Sequence, residues 1–394
     1  MITKLPGRYP EVFYSMMALY FCCLLLTICY VALMGAWQWG WQRQPEFKLP
    51  EGYEPQTFIS VIIPARNEAQ NIGKCIEAIL AQKYPKHLLE IIVVDDHSED
   101  DTAGVVNAIS APQVKCINLK EFVGEAMIIA YKKAALTAGI SKSQGTLIVT
   151  TDADCIAQEN WLQNIAAIYE REHPVMVVAP VIFSCDNSLL QRFQLIDFMS
   201  MQGITVAAHN LKLGNMCNGA NLAFSKAAFL KVNGYEGVNN MASGDDYLLM
   251  LKLNNSMAGR IAYLKSDQAI VSTPPQPDWG SFLQQRIRWS SKSGRYNDAR
   301  LTLILILVYL FNLSFLVLAI LGISDPVYLQ WLLMMLFIKI LVEYLFLVPV
   351  ARFFGKKNEL VYFILLQPVH IIYIVIAGFL GSIGGYKWKG RRVR

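Results

Sequence analysis

Two aspartates one residue apart, Asp152 and Asp154, stand directly after the short apolar run Leu147–Thr150. An apolar run bounded by polar residues predicts a buried strand, so we expect both carboxylates at the carboxyl edge of a sheet, where ligands of open α/β sheets bind. Carboxylate oxygens suit a hard cation such as Mg²⁺ or Mn²⁺. A cation held in this way can carry a diphosphate and neutralise its charge as it leaves. The alternative interpretation is a solvated Asp-x-Asp turn with no ligand.

Two further acidic pairs stand next to predicted elements. Asp95 and Asp96 follow a second apolar run, and Asp245 and Asp246 precede a short predicted helix. Carboxylates at such places can act as ligands or as general bases. Because aspartate is also a preferred N-cap residue, either pair could instead cap the helix that follows it.

The remaining composition excludes several classes of protein. No GxGxxG follows the first strand or occurs elsewhere, which argues against a dinucleotide oxidoreductase, and no GxxxxGK[ST] indicates a P-loop. The eight cysteines form no CxxC or His/Cys cluster, so neither a zinc site nor a disulfide framework is indicated. The net charge of +5 gives no sign of nucleic-acid binding. Nothing in the sequence indicates a particular protein partner.

Alternating strands and helices must position the acidic residues. We predict strands at 58–64, 89–94, 114–118, 147–150 and 175–183, helices at about 71–82, 132–141, 188–213 and 247–253, and a turn entering a further strand at 217–224. A strand, a helix and a second strand form a right-handed βαβ unit. Their repetition predicts a doubly wound α/β domain.

Apolar segments on both sides of this domain predict an integral membrane protein. Hydrophobic residues make up 54% of the chain and charged residues 16%, which is too apolar for an ordinary soluble protein. Residues 12–42 carry no charge and are long enough for an uncleaved transmembrane anchor. We predict a linker at 43–57, three further membrane segments at 301–323, 327–350 and 360–385, and a basic tail at 386–394.

Polar residues inside the later segments refine this prediction. Lys339 and Glu343 are four residues apart and can pair on one helical face, and charges at that depth usually face a helix bundle. With a cytoplasmic α/β domain, alternation of four spans places the basic loop after 350 in the cytoplasm, which agrees with the positive-inside rule. The same alternation places the basic tail outside, which does not agree with that rule. Our hypothesis is that 360–385, interrupted by Pro368 and glycines, lies in the interface or re-enters the membrane, which keeps the tail inside.

Together these features resemble the membrane-anchored branch of the family 2 glycosyltransferases, which includes cellulose, hyaluronan and poly-N-acetylglucosamine synthases and the ceramide glucosyltransferases. The resemblance covers about residues 58–292. It implies a GT-A fold, that is, a Rossmann-like, mostly parallel sheet, in a cytoplasmic domain with one N-terminal and about three C-terminal membrane helices.

On the donor side, the resemblance implies contacts with a nucleotide sugar. Asp96 matches the residue that holds the uracil, Lys133 the lysine near the pyrophosphate, and Asp152 and Asp154 the metal motif. The full set of implied donor contacts is Pro64, Ala65, Arg66, Glu68, Asp96, Lys133 and Asp152. We interpret the neighbouring Lys132 as an ordinary surface charge.

On the acceptor side, Asn221 lies in a segment that resembles the family's acceptor turn. Asp245-Asp246 stands where the family commonly has Glu-Asp, so Asp246 matches the catalytic base and Asp245 departs from the pattern. The resemblance places Gln285, Arg288 and Trp289 in the QxxRW motif, on the acceptor and diphosphate side. Arg286, between them, we interpret as a solvated or headgroup-facing charge.

The implied activity is inverting transfer of a sugar from a nucleotide sugar, UDP-linked by the resemblance, to a lipid-linked or glycan acceptor at the cytoplasmic membrane face. It needs a divalent metal, Mg²⁺ or Mn²⁺, and contact with membrane lipids. A processive polysaccharide synthase coupled to secretion is the first alternative, although four spans are few for a private polymer channel. A catalytically inactive scaffold that keeps the fold is the second, and the intact acidic set argues against it.

Overall fold

The computed structural model describes residues 10–124, 129–186, 188–213, 216–239, 241, 244–256, 261–291, 298–383, 386–388 and 391–393. The chain divides into two compact units. The α/β unit comprises residues 40–277 and 353–355, and the helical unit comprises residues 1–39, 278–352 and 356–394. Position 292, where we expected the α/β domain to end, lies outside the described residues.

Thirteen α-helices lie in the described part of the chain. They are α1 (Pro10–Arg43), α2 (Ile72–Leu80), α3 (Thr102–Asn107), α4 (Leu119–Val123), α5 (Tyr131–Lys142), α6 (Trp161–Glu172), α7 (Leu189–Leu211), α8 (Lys226–Lys231), α9 (Asp245–Ser256), α10 (Trp279–Ser290), α11 (Ala299–Leu321), α12 (Pro326–Phe353) and α13 (Phe363–Ile383). The described strands are β1 (Ile59–Ala65), β2 (Leu89–Asp95), β3 (Val114–Asn118), β4 (Leu147–Thr150), β5 (Ile156–Ala157), β6 (Met176–Val178), β7 (Val181–Phe183), β8 (Leu222–Ser225), β9 (Ile261–Tyr263), β10 (Val271–Thr273), β11 (Tyr386–Trp388) and β12 (Arg391–Val393).

A seven-stranded sheet in the order β3-β2-β1-β4-β8-β6-β9 forms the centre of the α/β unit. Strands β1 to β4 run parallel, and β8 is antiparallel to both of its neighbours. The predicted mostly parallel α/β sheet is thereby confirmed. The central strands β1, β2 and β4 are apolar and almost wholly buried, as expected for parallel strands covered on both faces.

Helix α5 packs on β1 and β2 and approaches the sheet closely. A Cβ atom at Gly139 would lie 2.6 Å from the Ile62 Cγ2 atom, a distance that side chains do not tolerate. A glycine is therefore needed at this position of α5 for the observed distance between helix and sheet. This close packing fixes the rotation of α5 and hence the direction of its lysine side chains.

The apolar run at 175–183 is not one strand, as predicted, but two. Strand β6 belongs to the seven-stranded sheet, whereas β7 joins β5 and β10 in a three-stranded sheet. The break falls at Pro180, which has no backbone N–H to donate to a strand ladder. The Pro180 carbonyl instead accepts hydrogen bonds from Val271 N and from the Asn221 side chain.

The predicted linker 43–57 is bound to the α/β unit along its length. Lys265 is buried, donates to the Gln44 carbonyl at 3.1 Å and lies 4.0 Å from the centre of the Trp41 ring. Farther along, the Glu170 carboxylate accepts from the backbone of Gln56 and Thr57. These contacts give the segment a defined path.

Among the described residues, four helices are long and apolar enough to cross a membrane, at 14–43, 299–321, 326–353 and 357–383. They belong to the helical unit except for residues 40–43 and 353. One is N-terminal and three are C-terminal, as the sequence predicts. Helix α13 continues through Pro368 without interruption, so its length suffices for a full crossing. Its orientation stays a prediction.

A buried polar cluster joins α1, α12 and α13 within this unit. Lys339 Nζ lies 2.6 Å from Glu343 Oε1 and 2.7 Å from Gln367 Oε1. Gln367 donates to Glu343 Oε2 at 2.9 Å, and the Tyr30 hydroxyl donates to Glu343 Oε1. The predicted pairing of Lys339 with Glu343 is confirmed. Because unpaired charges are costly in an apolar environment, the cluster stabilises this arrangement of the three helices.

Candidate functional site

The site lies at the carboxyl ends of β1, β2 and β4, where the predicted acidic residues converge. Ala65 at the end of β1 pairs with Asp95 at the end of β2. Asp96 N then donates to the Ala65 carbonyl at 2.7 Å. The polar residues that follow these strands therefore occupy neighbouring positions at one sheet edge.

The turns after β1 and β2 are bound to each other. Asn67 adopts a left-handed conformation, and its backbone N–H donates to the Ser98 hydroxyl at 3.0 Å. Its side-chain oxygen accepts from Glu99 N, and Glu68 N donates to the Thr102 hydroxyl. Pro64 and Ala65 end β1, and these reciprocal bonds give the turn that follows them, which contains Arg66 and Glu68, a defined shape.

Asp96 is buried at this edge and faces His97 and Arg66. His97 Nδ1 lies 2.9 Å from Asp96 Oδ1, and Arg66 Nη1 donates to the Asp96 carbonyl at 3.4 Å. Burial raises the pKa of the Asp96 carboxyl above its ordinary value, while the hydrogen bond with His97 opposes that shift. Helix α3 begins only at Thr102 with Asp101 as its N-cap, so Asp95 and Asp96 do not cap it.

Asp152 and Asp154 follow β4, as predicted, and a lysine accompanies them. Lys132 Nζ lies 2.7 Å from Asp152 Oδ1 and 3.5 Å from Asp245 Oδ2. Although burial opposes it, the carboxylates of Asp152 and Asp245 raise the pKa of Lys132 above its ordinary value. Lys132 is therefore charged and, contrary to our expectation of a surface residue, belongs to the site. Thr273 donates to Asp154 Oδ1 at 3.4 Å.

Asp245 and Asp246 form the first turn of α9. Gly219 N donates to Asp246 Oδ2 at 3.2 Å, and Tyr247 N donates to Asp246 Oδ1 at 2.7 Å. A Cβ atom at Gly219 would lie 3.2 Å from Asp245 Oδ2 and 3.6 Å from the Lys132 ammonium. The glycine thus lets the turn before β8 approach the charged cluster. Ser243, two residues before Asp245, lies outside the described residues.

Lys133 does not face the carboxylates. Its ammonium donates to the carbonyls of Val238 and Met241, at 2.8 and 2.7 Å. Because consecutive helical residues point about 100° apart, only one of two adjacent lysines on α5 can face the sheet edge. The structure places Lys132 there, so the pyrophosphate position that the resemblance implied for Lys133 does not agree with the geometry.

Asn221 is likewise not available to an acceptor. It is fully buried, its side-chain oxygen accepts from Trp161 Nε1 at 2.8 Å, and its amide group donates to the carbonyls of Pro180 and Ala269. These bonds use its oxygen and both N–H groups. Asn221 therefore holds the turn before β8, which corrects the predicted acceptor contact.

Gln285, Arg288 and Trp289 lie on α10, which belongs to the helical unit. Arg286 is buried there, with its guanidinium 4.3 Å from the centre of the Trp289 ring and 4.6 Å from that of Phe282. This arginine is not the solvated charge that we expected. Its stacking fixes the direction of the Trp289 ring.

The carboxylate oxygens that follow β4 are suitable ligands for a hard cation. Among the described residues, no group of three or more His, Cys, Asp or Glu side chains could hold a metal ion. Two carboxylates, with the remaining ligands supplied by water and a diphosphate, nevertheless match the usual coordination of Mg²⁺ in nucleotide sites. Burial raises the pKa of the nearby Cys75 thiol to about 12, so it is protonated at neutral pH and offers no thiolate ligand.

Comparison with known proteins identifies the family. The family model described as glycosyl transferase family group 2 matches residues 147–372, more than half of the chain, and that of glycosyl transferase family 2 matches residues 60–230. The chain therefore belongs to the family 2 glycosyltransferases.

Individual relatives extend this finding. Glycosyltransferase AglE of Haloferax volcanii is 32% identical over 145 residues, which cover 37% of this chain and 46% of that protein. The dolichyl N-acetyl-alpha-D-glucosaminyl phosphate 3-beta-D-2,3-diacetamido-2,3-dideoxy-beta-D-glucuronosyltransferase of Methanococcus voltae is 32% identical over 114 residues, 29% of this chain and 34% of that protein. The chain thus spans less than half the length of these two relatives.

A solved structure shows the same fold. The mannosyltransferase PcManGT from Pyrobaculum calidifontis, in complex with GDP-Man and Mn²⁺, superposes with a TM-score of 0.56 at 18% identity. The superposition covers 93% of this chain and 97% of that chain. The predicted GT-A fold is confirmed.

Proposed function

We propose that the protein is an inverting, metal-dependent glycosyltransferase that moves a sugar from a nucleotide sugar to a lipid-linked acceptor. The observation that carries this proposal is the Lys132 ammonium, which lies between Asp152 of the metal motif and Asp245 beside the candidate base. One cation is thus in contact with both the donor side and the acceptor side of the site.

The chemistry follows from the roles of these groups. Asp246 takes the proton of the acceptor hydroxyl, the acceptor oxygen forms a bond to the anomeric carbon, and the bond from that carbon to the diphosphate oxygen breaks. A single displacement inverts the anomeric configuration. Lys132 stabilises the negative charge that develops on the departing diphosphate. Asp96 holds the nucleotide base.

A divalent cation at Asp152 and Asp154 would supply further charge neutralisation of the diphosphate. Both carboxylates follow β4, and that of Asp152 contacts Lys132. The Mn²⁺ bound to PcManGT supports this assignment by its presence in a protein of the same fold. Either Mg²⁺ or Mn²⁺ fits the oxygen donors.

A lipid-linked acceptor is favoured by the helical unit and by the relatives. Four helices among the described residues are long and apolar enough to cross a membrane, and the name of the Methanococcus voltae relative specifies a dolichyl N-acetyl-alpha-D-glucosaminyl phosphate, which is a lipid-linked sugar. We place the α/β unit on the cytoplasmic side, where nucleotide sugars occur. Labelling of a cysteine added after Arg394 with an impermeant reagent in intact cells tests the topology, since ready labelling would show that all four helices span.

The activity is tested by incubating purified full-length protein with a panel of UDP- and GDP-sugars, polyprenyl phosphate and Mn²⁺, and measuring nucleoside diphosphate release. We expect release with one donor, abolition by excess chelator and recovery with added Mn²⁺ or Mg²⁺. Full turnover in chelator would contradict the metal assignment. A ladder of long products on a gel would instead indicate a processive synthase, and no release with any donor would indicate an inactive scaffold.

A further inference from the structure

The chain between α8 and α9 leads to the candidate base and has no regular secondary structure of its own in its described residues, 232–239, 241 and 244. Asn233, Gly234, Gly237 and Gly244 have positive φ angles. Neither a helical nor a strand ladder fixes these residues, so other contacts must hold the segment. We name these described residues, 232–239, 241 and 244, the base loop, because it leads to Asp245 and to the candidate base Asp246.

Two lysines bind carbonyl groups of the base loop from different helices. From α5, Lys133 Nζ donates to the Val238 and Met241 carbonyls at 2.8 and 2.7 Å. From α9, Lys252 Nζ donates to the Gly234 and Glu236 carbonyls at 2.6 and 2.8 Å. Lys133 binds the part of the loop nearer to Asp246, and Lys252 binds the earlier part.

The environment of Lys133 shows that these bonds are not incidental. Its residue surface is only 2% exposed, and a buried ammonium is costly unless polar groups surround it. The Lys133 side chain also lines a cavity of about 570 Å³ together with Tyr235, Glu236 and Asn239 of the base loop. Side-chain packing is therefore incomplete between α5 and the loop, so the hydrogen bonds carry more of the contact.

We propose that Lys133 is a positioning residue that holds the base loop and thereby places Asp246 for proton transfer. The proposal rests on the function proposed above. Since Lys132 contacts Asp152 and Asp245 while Lys133 contacts the base loop, α5 links the diphosphate side of the site to the base through two adjacent residues. Loss of Lys133 leaves Lys132 and the donor side in place.

The test compares Lys133→Met, which removes the donor groups, with Lys133→Gln, which keeps an amide donor. Lys142→Met changes an exposed lysine on the same helix and serves as the matched control. Because an error of about 1 Å in the position of a catalytic group can cost 100-fold in rate, we expect kcat for transfer to fall about 10- to 100-fold in Lys133→Met. The kcat of Lys133→Gln should fall less than that of Lys133→Met, and the KM for the nucleotide sugar should change little in both variants.

Hydrogen–deuterium exchange of peptides from residues 232–248 gives a second measurement that needs no activity. We expect faster exchange there in Lys133→Met and unchanged exchange in β1, β2 and β4. Faster exchange in these strands as well would reveal a global loss of folding. Wild-type kcat in Lys133→Met, or unchanged exchange in the base loop, would overturn the proposal. If the wild-type protein transfers no sugar, the proposed function fails, while the exchange measurement still decides whether Lys133 holds the loop.

Discussion

Lys132 Nζ lies 2.7 Å from Asp152 Oδ1 and 3.5 Å from Asp245 Oδ2, so one ammonium pairs with a carboxylate that follows β4 and with one at the start of α9. These two aspartates are far apart in sequence and would repel each other without a cation between them. The lysine thus allows a metal-motif carboxylate and the neighbour of the candidate base to share one site. This arrangement makes Lys132 the cation to test first.

Replacing Lys132 by methionine keeps most of the length of the side chain and removes its charge. We expect kcat for sugar transfer to fall by about 10²–10³-fold, the usual effect of losing one group that stabilises charge in the transition state. Lys142→Met, on the exposed end of the same helix, should transfer at the wild-type rate. An active Lys132→Met protein with unchanged kinetics would remove this residue from the mechanism.

Asp246→Asn preserves the shape of the side chain and removes the base. A general base of this kind contributes about 10²–10⁴-fold, so we expect kcat to fall by that factor while nucleotide-sugar binding, measured by calorimetry, is retained. Asp245→Asn should have a milder effect, because Asp245 contacts Lys132 but is not assigned the proton. If Asp245→Asn is the inactive variant, the two roles must be exchanged.

The stability of the α/β unit should depend on the protonation of Asp96. Burial raises the pKa of the Asp96 carboxyl above its value in the unfolded chain, about 3.9. The protonated carboxyl therefore stabilises the folded protein below about pH 3.9, and this stabilisation is lost as the pH rises through the pKa of the folded state. We therefore expect Asp96→Asn to raise the unfolding temperature at pH 7, with a gain that shrinks as the pH is lowered, and to abolish donor binding. Asp101→Asn, at an exposed position nearby, should show neither change. An unfolding temperature at pH 7 below that of the wild type would contradict the assignment.

The cluster around Lys339 should determine the stability of the helical unit. Lys339→Met leaves the Glu343 carboxylate buried without its cation, which typically costs about 3–5 kcal/mol in the free energy of unfolding. Adding Glu343→Gln removes that charge and keeps groups that can bond to Tyr30 and Gln367, so we expect the double variant to recover part of the loss. The free energy of unfolding in detergent is measured for the wild type, the two single variants and the double variant, which together form a double-mutant cycle. Strictly additive losses would show that the pair is not coupled.

The amino-acid sequence by itself determined the central strands of the sheet, the membrane helices and their order along the chain. Predominantly apolar runs specified β1, β2 and β4, because strands buried on both faces do not alternate regularly between polar and apolar residues. Long, predominantly apolar segments specified the four membrane helices, because such segments are stable in hydrocarbon. The acidic residues at the strand ends followed from these assignments, since parallel strands end at a common edge. The local sequence pattern was sufficient to predict an element wherever burial alone sets the types of its residues.

The tertiary structure decided which polar side chains reach the site. The two adjacent lysines on α5 are the same residue type, and the packing of the helix on β1 and β2, close at Gly139, directs Lys132 to Asp152 and Lys133 to the base loop. In the same way, Asn221 lies in a turn that resembles an acceptor site, yet its side chain makes three hydrogen bonds within the protein. Partners distant in the chain make these contacts. The direction of a polar side chain is therefore a property of the folded arrangement rather than of the local sequence.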